Sequence, residues 1–204
     1  MTSLSEKQYA AVGNAAWASA RTIWISLGAN IHGAWGEPEA SLLIAIRKME
    51  KLGLRVVASS PQYSTPPFGN VRQPRYINMV IGVIGSFGLL KLLHVIKRLE
   101  VAAGRRKRGH WGPRPLDLDI LDHGGRIIGR PSRRRIEGRL VLPHPEMHKR
   151  GFVLVPLTAA CRAWRHPRLH VSAKQLLARH PLLRRGMRRL PHADPRNRPM
   201  GRHA

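Results

Sequence analysis

The sequence predicts an α+β domain in which helices pack on one mostly antiparallel sheet. Two observations carry this. Segments of strand-like and helix-like apolar patterning follow one another in the order strand, helix, strand, strand, helix, strand, and no internal repeat interrupts them. A 43% hydrophobic share in 204 residues is enough to fill a core.

The elements read as follows. Residues 22–27 are β-rich and stop at Gly28-Ala29-Asn30, a turn signal. Glu37, Pro38 and Glu39 then set acids and a first-turn proline ahead of Leu42, Leu43, Ile46 and Met49, an apolar stripe at helical spacing that ends at Lys51 and Gly53. Residues 54–59 and 76–84 read as strands, separated by a proline-rich segment, 63–69, that is expected to have no regular structure. A second helix is expected over about 88–103, with Ser86 a candidate cap, Leu89, Leu93 and Ile96 along one face and Gly104 just past its end. Glu100 continues that apolar face, so its carboxylate needs a cationic partner or a cleft. Residues 116–121 alternate with period two and read as a further strand.

Composition narrows the function classes. One cysteine, Cys161, excludes a disulfide framework and a four-cysteine zinc site and makes a reducing, cytoplasmic setting the default. The mostly apolar stretch 79–90 is far shorter than the roughly 20 residues of a membrane span, so no membrane helix is expected. Residues 9–20 end in Ala-Ser-Ala but make a poor signal-peptide core, and no cleaved signal is expected. A net charge of +25 points to polyanionic partners, either an anionic ligand such as ATP or a nucleic acid. Residues 1–20 and 181–204 read as extensions flanking a domain at 21–180. The second extension holds seven arginines, four prolines and a single acid, Asp194, and is expected to be largely disordered and dispensable for catalysis.

The chemistry concentrates in three clusters. Asp117 and Asp119 stand out in a chain of 11 acids, because alternate residues of a strand share a face. Their bases are then roughly 6.5–7 Å apart, suited to a pair of magnesium ions; the plainer alternative is a solvated face salt-bridged to arginine. Upstream, the loop 105–114 combines cations, Trp111 and glycines, and can fold over a polyphosphate or form an RNA-facing patch. There is no P-loop sequence. His144 and His148 lie four apart, but no glutamate follows His144 directly as a metalloprotease site requires, and His144 fits better as a phosphate hydrogen-bond donor.

Several runs together carry a resemblance: Ser26-Leu27-Gly28-Ala29-Asn30, the 63–69 loop, Gln73-Pro74-x-Tyr76-x-Asn78, Gly104-Arg105, Trp111-Gly112-Pro113-Arg114-Pro115-Leu116-Asp117-Leu118-Asp119-Ile120, and Leu142-Pro143-His144-Pro145 with Arg150-x-Phe152. In this order the chain resembles the 6-hydroxymethyl-7,8-dihydropterin pyrophosphokinases of folate biosynthesis, over about residues 22–157. The resemblance implies a ferredoxin-like fold, two Mg2+ ions, and transfer of pyrophosphate from ATP to the hydroxymethyl group of 6-hydroxymethyl-7,8-dihydropterin with release of AMP. It implies Asp117 and Asp119 as metal ligands and Arg105 and Arg114 as catalytic cations. Glu100, Trp111, Ile120, His144 and Arg150 would meet ATP. Tyr76 and Phe152 would sandwich the pterin, with Thr65, Pro66 and Asn78 at its polar edge and Phe68 as apolar wall.

The chain departs from that family at His110 and Lys107, where arginines are usual, at Lys97 for a glutamine, at Arg75 for a common aspartate, and at Ala159-Ala160-Cys161. These changes keep or raise positive charge while altering hydrogen-bond geometry. Without the resemblance, the residues favour Tyr76 and Phe152 as core aromatics and Asn78 as a turn residue. The reading from a different class is a basic RNA-binding or scaffold protein on a retired version of the same fold. Weak polyanion binding through the C-terminal extension is compatible with both.

Overall fold

A computed structural model describes residues 22–67, 69, 72–106, 112–129 and 140–191. Among these, six strands form one sheet in the order β5-β1-β4-β3-β6, with β2 also paired to β4. The strands are β1 (Ile23–Ala29), β2 (Arg55–Ser59), β3 (Tyr63–Thr65), β4 (Tyr76–Ile84), β5 (Asp117–His123) and β6 (Arg188–Arg189). Every pairing is antiparallel. Helices α1 (Pro38–Lys51), α2 (Leu89–Ala102), α3 (Gly151–Ala160) and α4 (Ala173–Arg179) complete the domain.

β1 is buried along its whole length because both faces of the sheet are covered. Ile25 and Leu27 of β1, Met79 and Ile81 of β4, and Leu118 and Ile120 of β5 pack with Leu42, Met49, Leu92 and Ile96 of α1 and α2. On the opposite face Trp24, Val80 and Leu121 pack with Val153, Leu154 and Leu157 of α3 and Leu176 of α4. Period-two alternation therefore sorts each strand between two cores.

α1 begins at Pro38 and carries basic residues in its last turn, as its sequence pattern predicts. Three expectations are corrected. Residues Tyr63–Thr65 are not loop: they pair with β4, Thr65 opposite Tyr76, because the prolines begin only at Pro66 and leave these amides free to bond. The residue flanking α2 is Gly88, with no side-chain cap, so Ser86 does not cap it. The domain also runs past His180: Pro181–Arg184 form a 3-10 turn, and β6 pairs with β3. That stretch folds because Leu183, Met187 and Leu190 are half-buried anchors and β3 offers an unpaired edge. Residues 1–20 and 192–204 of the two extensions lie outside the described residues.

Candidate active site

Strand register builds the site on the α3 face of the sheet, near the end where α3 begins. Gly28 of β1 lies opposite Asn78 on one side and Asp117 on the other, and the next inward residue on that face, Ser26, lies opposite Val80 and Asp119. Tyr76 and Thr65 form an adjacent pair. A Cβ at position 28 would stand 2.7 Å from Asn78 Oδ1, so any larger residue there would push the Asn78 amide aside. Asn78 Nδ2 donates to Thr65 Oγ1 at 2.8 Å, fixing the amide and leaving its carbonyl beside Gly28.

Asp117 is the hub of the cationic cluster. Its Oδ1 accepts from Arg105 at 2.7 Å and from Arg114 at 2.6 Å. Desolvation opposes the Arg114 charge, but Asp117 outweighs it and holds the guanidinium above its ordinary pKa. Arg105 is tied from behind by Glu100 of α2, at 2.5 Å. The Glu100 carboxylate is buried and also accepts from Leu118 N at 2.7 Å and Lys97 Nζ at 2.9 Å. Burial pushes its pKa up, while Lys97 and Arg105 oppose the shift. The partner that its position on an apolar face demands is thus Arg105 together with Lys97.

Asp119 lies two residues on, with its side chain 32% exposed and two looser neighbours, His144 Nε2 and Arg150 Nη1, each 3.8 Å from Oδ2. Desolvation raises its pKa, but His144, Lys97, Arg150 and Arg114 together outweigh this and hold it below the usual carboxylate range. His144 is placed by its backbone N–H, which donates to Leu121 O of β5 at 2.8 Å. Its Nδ1 accepts from Glu146 N at 3.2 Å, leaving Nε2 as the protonated, donating nitrogen that faces Asp119. Desolvation lowers its pKa, against the pull of Asp119, so the neutral donor form is favoured.

The aromatic residues reach the site from two elements. Tyr76 opens β4, and burial pushes its phenol pKa up. Phe152 is the second residue of α3, half-buried, with the Arg150 guanidinium 5.7 Å from its ring centre. Neither is a fully buried core ring. Ile120 is different: it is 5% exposed and packs in the core that α1 and α2 cover, on the opposite face of β5 from Asp117 and Asp119. Trp111, Phe68, Lys107 and His110 lie outside the described residues.

Asn30, read from sequence only as part of a turn signal and motif, is a buried tie across the site. It bonds Arg114 through both backbone and side chain, and its Nδ2 donates to Gln73 Oε1 and Pro74 O. A small polar residue just past a mostly apolar strand was the available signal.

Two carboxylates on one sheet face suit magnesium, which takes hard oxygen ligands from one or two carboxylates and completes its shell with water and substrate phosphates. Among the described residues no group of three or more acids, histidines and cysteines is placed to hold a metal ion. This fence of cations on one sheet face suits a phosphate-bearing anionic ligand. The family model for 7,8-dihydro-6-hydroxymethylpterin-pyrophosphokinase (HPPK) matches residues 24–162. The chain is 36% identical over 173 residues to the 2-amino-4-hydroxy-6-hydroxymethyldihydropteridine pyrophosphokinase of Pseudomonas aeruginosa, covering 84% of this chain and 98% of that one. It is 37% identical over 137 residues to the enzyme of the same name from Haemophilus influenzae, covering 67% and 79%. The solved Plasmodium falciparum HPPK-DHPS in wild-type form superposes with TM-score 0.58 at 14% identity, over 83% of this chain and 47% of that one, a likeness of fold. This chain spans about half the length of that one. The chain belongs to the 7,8-dihydro-6-hydroxymethylpterin-pyrophosphokinase family.

Proposed function

We propose that the Asp117–Asp119 face is where this chain carries out its family's reaction, transfer of pyrophosphate from ATP to the hydroxymethyl group of 6-hydroxymethyl-7,8-dihydropterin, an ATP-dependent diphosphotransfer in folate biosynthesis. The observation that carries the assignment is the convergence of Arg105 and Arg114 on Asp117, with Asp119, His144 and Arg150 beside it. Phosphoryl-type transfer asks a protein mainly to position the reactants and neutralise charge, and this cluster is built for both.

Asp117 and Asp119 would hold two Mg2+ ions, which when bound supply neutralisation of the polyphosphate charge. Arg105 and Arg114 offer guanidinium groups to the transferring phosphates, and Glu100 keeps Arg105 aimed. His144 donates from Nε2, and Arg150 adds a cation on the same side. Tyr76 and Phe152 supply aromatic faces for a flat pterin, with Asn78, Thr65 and Pro66 at its edge. Trp111 and Phe68 keep the roles their motifs imply, closing over ATP and lining the pterin.

Among the described residues no helix is long and apolar enough to cross a membrane; a cytoplasmic site of action is proposed from the lone cysteine. Weak, salt-sensitive polyanion binding beyond His180 is a separate proposal, supported by the exposed Arg184, Arg185, Arg188 and Arg189. Retention of both aspartates tells against the retired-scaffold reading. The deciding experiment mixes the protein with ATP, magnesium and the hydroxymethyl pterin and identifies the nucleotide product. AMP formed only with pterin present is expected; ADP, or no pterin-dependent turnover, overturns the assignment.

A further inference from the structure

The segment beyond His180 is seated against the residues assigned to the pterin. At one end, a Cβ on Gly151 would collide with the Leu183 carbonyl oxygen, so the backbone of this segment crosses directly over the first residue of α3. Phe152 is the next residue of that helix. At its middle, Gly186 has φ +70°, and Pro66 Cγ would be 3.6 Å from a Cβ placed there, an ordinary van der Waals contact. Arg75 fastens the same point. Its Nε donates to Ser64 Oγ at 2.8 Å, and one terminal nitrogen donates to Ser64 O at 3.1 Å and Gly186 O at 2.5 Å. At the far end, Ser64 pairs with Arg188, and Leu190 N donates to Gln62 O at 2.9 Å.

These attachments leave a cavity of about 160 Å³. Thr65, Pro66, Gly151 and Phe152 bound it on one side, and Leu183 and Met187 on the other. The second wall lies outside residues 24–162, which the family model matches. Leu182, Leu183 and Met187 make that wall largely apolar, Arg185 adds a cation to it, and the methionine is flexible enough to fit a flat ring.

We propose that residues 181–190 form the outer wall of the pterin-acceptor pocket, and that Met187 is a specificity-determining residue limiting the size of the pterin admitted. The proposal rests on the assignment of Thr65, Pro66 and Phe152 to the pterin. If the wall bounds the substrate, its volume governs pterin affinity and leaves ATP untouched.

The test uses full-length Met187→Trp, Met187→Ala, Met187→Leu and Phe152→Ala, each checked by circular dichroism, with KM for pterin, kcat and ATP affinity measured separately. Met187→Trp fills the cavity and is expected to raise the pterin KM by about tenfold or more with ATP affinity unchanged, since pocket-size changes discriminate on that scale. Met187→Leu should restore near-normal values. Met187→Ala should turn over a pterin with a bulkier ring substituent better, relative to the natural acceptor, than wild type does. If both Met187→Trp and Met187→Ala leave pterin KM and selectivity unchanged while Phe152→Ala raises pterin KM, the wall proposal is overturned and the pterin assignment stands. If Phe152→Ala is also silent, the pterin assignment falls and takes the wall with it. Should Met187→Trp not fold, Met187→Ala decides by the same criteria.

Discussion

Asn30 and Arg114 hold each other in both directions. The Asn30 amide donates to Arg114 O at 2.9 Å, and the Arg114 amide donates to Asn30 Oδ1 at 2.7 Å. The residue just past β1 thereby sets the backbone from which Arg114 reaches Asp117. The Nδ2 of the same asparagine bonds Gln73 and Pro74, so one buried side chain registers three segments of the site.

Asn30→Ala should therefore cost stability as well as rate. Leaving buried partners unsatisfied costs about 1–3 kcal/mol, and misplacing Arg114 should lower kcat more than it raises either KM. Denaturant unfolding with steady-state kinetics checks this; a variant that is less stable yet keeps normal kcat would show that Arg114 needs no such anchor.

Asp117→Asn and Asp119→Asn should each lower turnover by about 10²–10³-fold, the scale on which a positioned electrostatic group acts. Their stabilities should differ. Asp117 accepts short bonds from two arginines and its loss should cost about 1–3 kcal/mol, whereas the neighbours of Asp119 stand 3.8 Å away and its loss should cost little. Near-normal turnover at saturating magnesium in either variant would remove that aspartate from the metal assignment.

Tyr76→Ala and Phe152→Ala should each weaken pterin binding by about 1–3 kcal/mol, if base stacking on aromatics is a fair guide. Tyr76→Phe keeps the ring and should bind nearly as well. Calorimetry with pterin and ATP titrated separately checks this, and weakened ATP binding with intact pterin binding would reassign the rings to the nucleotide.

His166, whose ring centre stands 6.0 Å from that of His148, makes stability depend on pH. It is 4% exposed, its Nδ1 accepts from the amides of Arg168 and Leu169, and its ring meets Trp164 edge-on. Burial, reinforced by His148 and Arg168, lowers its pKa from 6.5 to about 4. The folded state thus binds the proton less readily than the unfolded chain. Its contribution is complete above about pH 6.5 and is lost as pH falls toward 4, amounting to about 2 kcal/mol by pH 4.5. His166→Asn keeps an acceptor for the two amides and removes the titration, so the variant should lose about that much less stability between pH 7 and 4.5. Parallel urea curves in which variant and wild type lose equal stability would rule the assignment out.

Local patterning sufficed for the helix-on-sheet class, for α1 and β4 nearly residue for residue, and for placing Asp117 and Asp119 on one face. These follow from local rules: a first-turn proline, apolar spacing of 3.6 or 2, and the pleat of a strand. It also marked Glu100 as a carboxylate needing a cation, because a charge on an apolar stripe is costly unless paired. Tertiary structure alone decided which face of the sheet the site occupies, that Gly28 separates Asn78 from Asp117, and that Asn30 ties Arg114 in place. It also decided that Arg188 and Arg189 form an edge strand beside Tyr63 and Ser64. Each of these is a pairing between residues far apart in the chain. Register and burial on folding set such pairings, and no pattern within a short window encodes them.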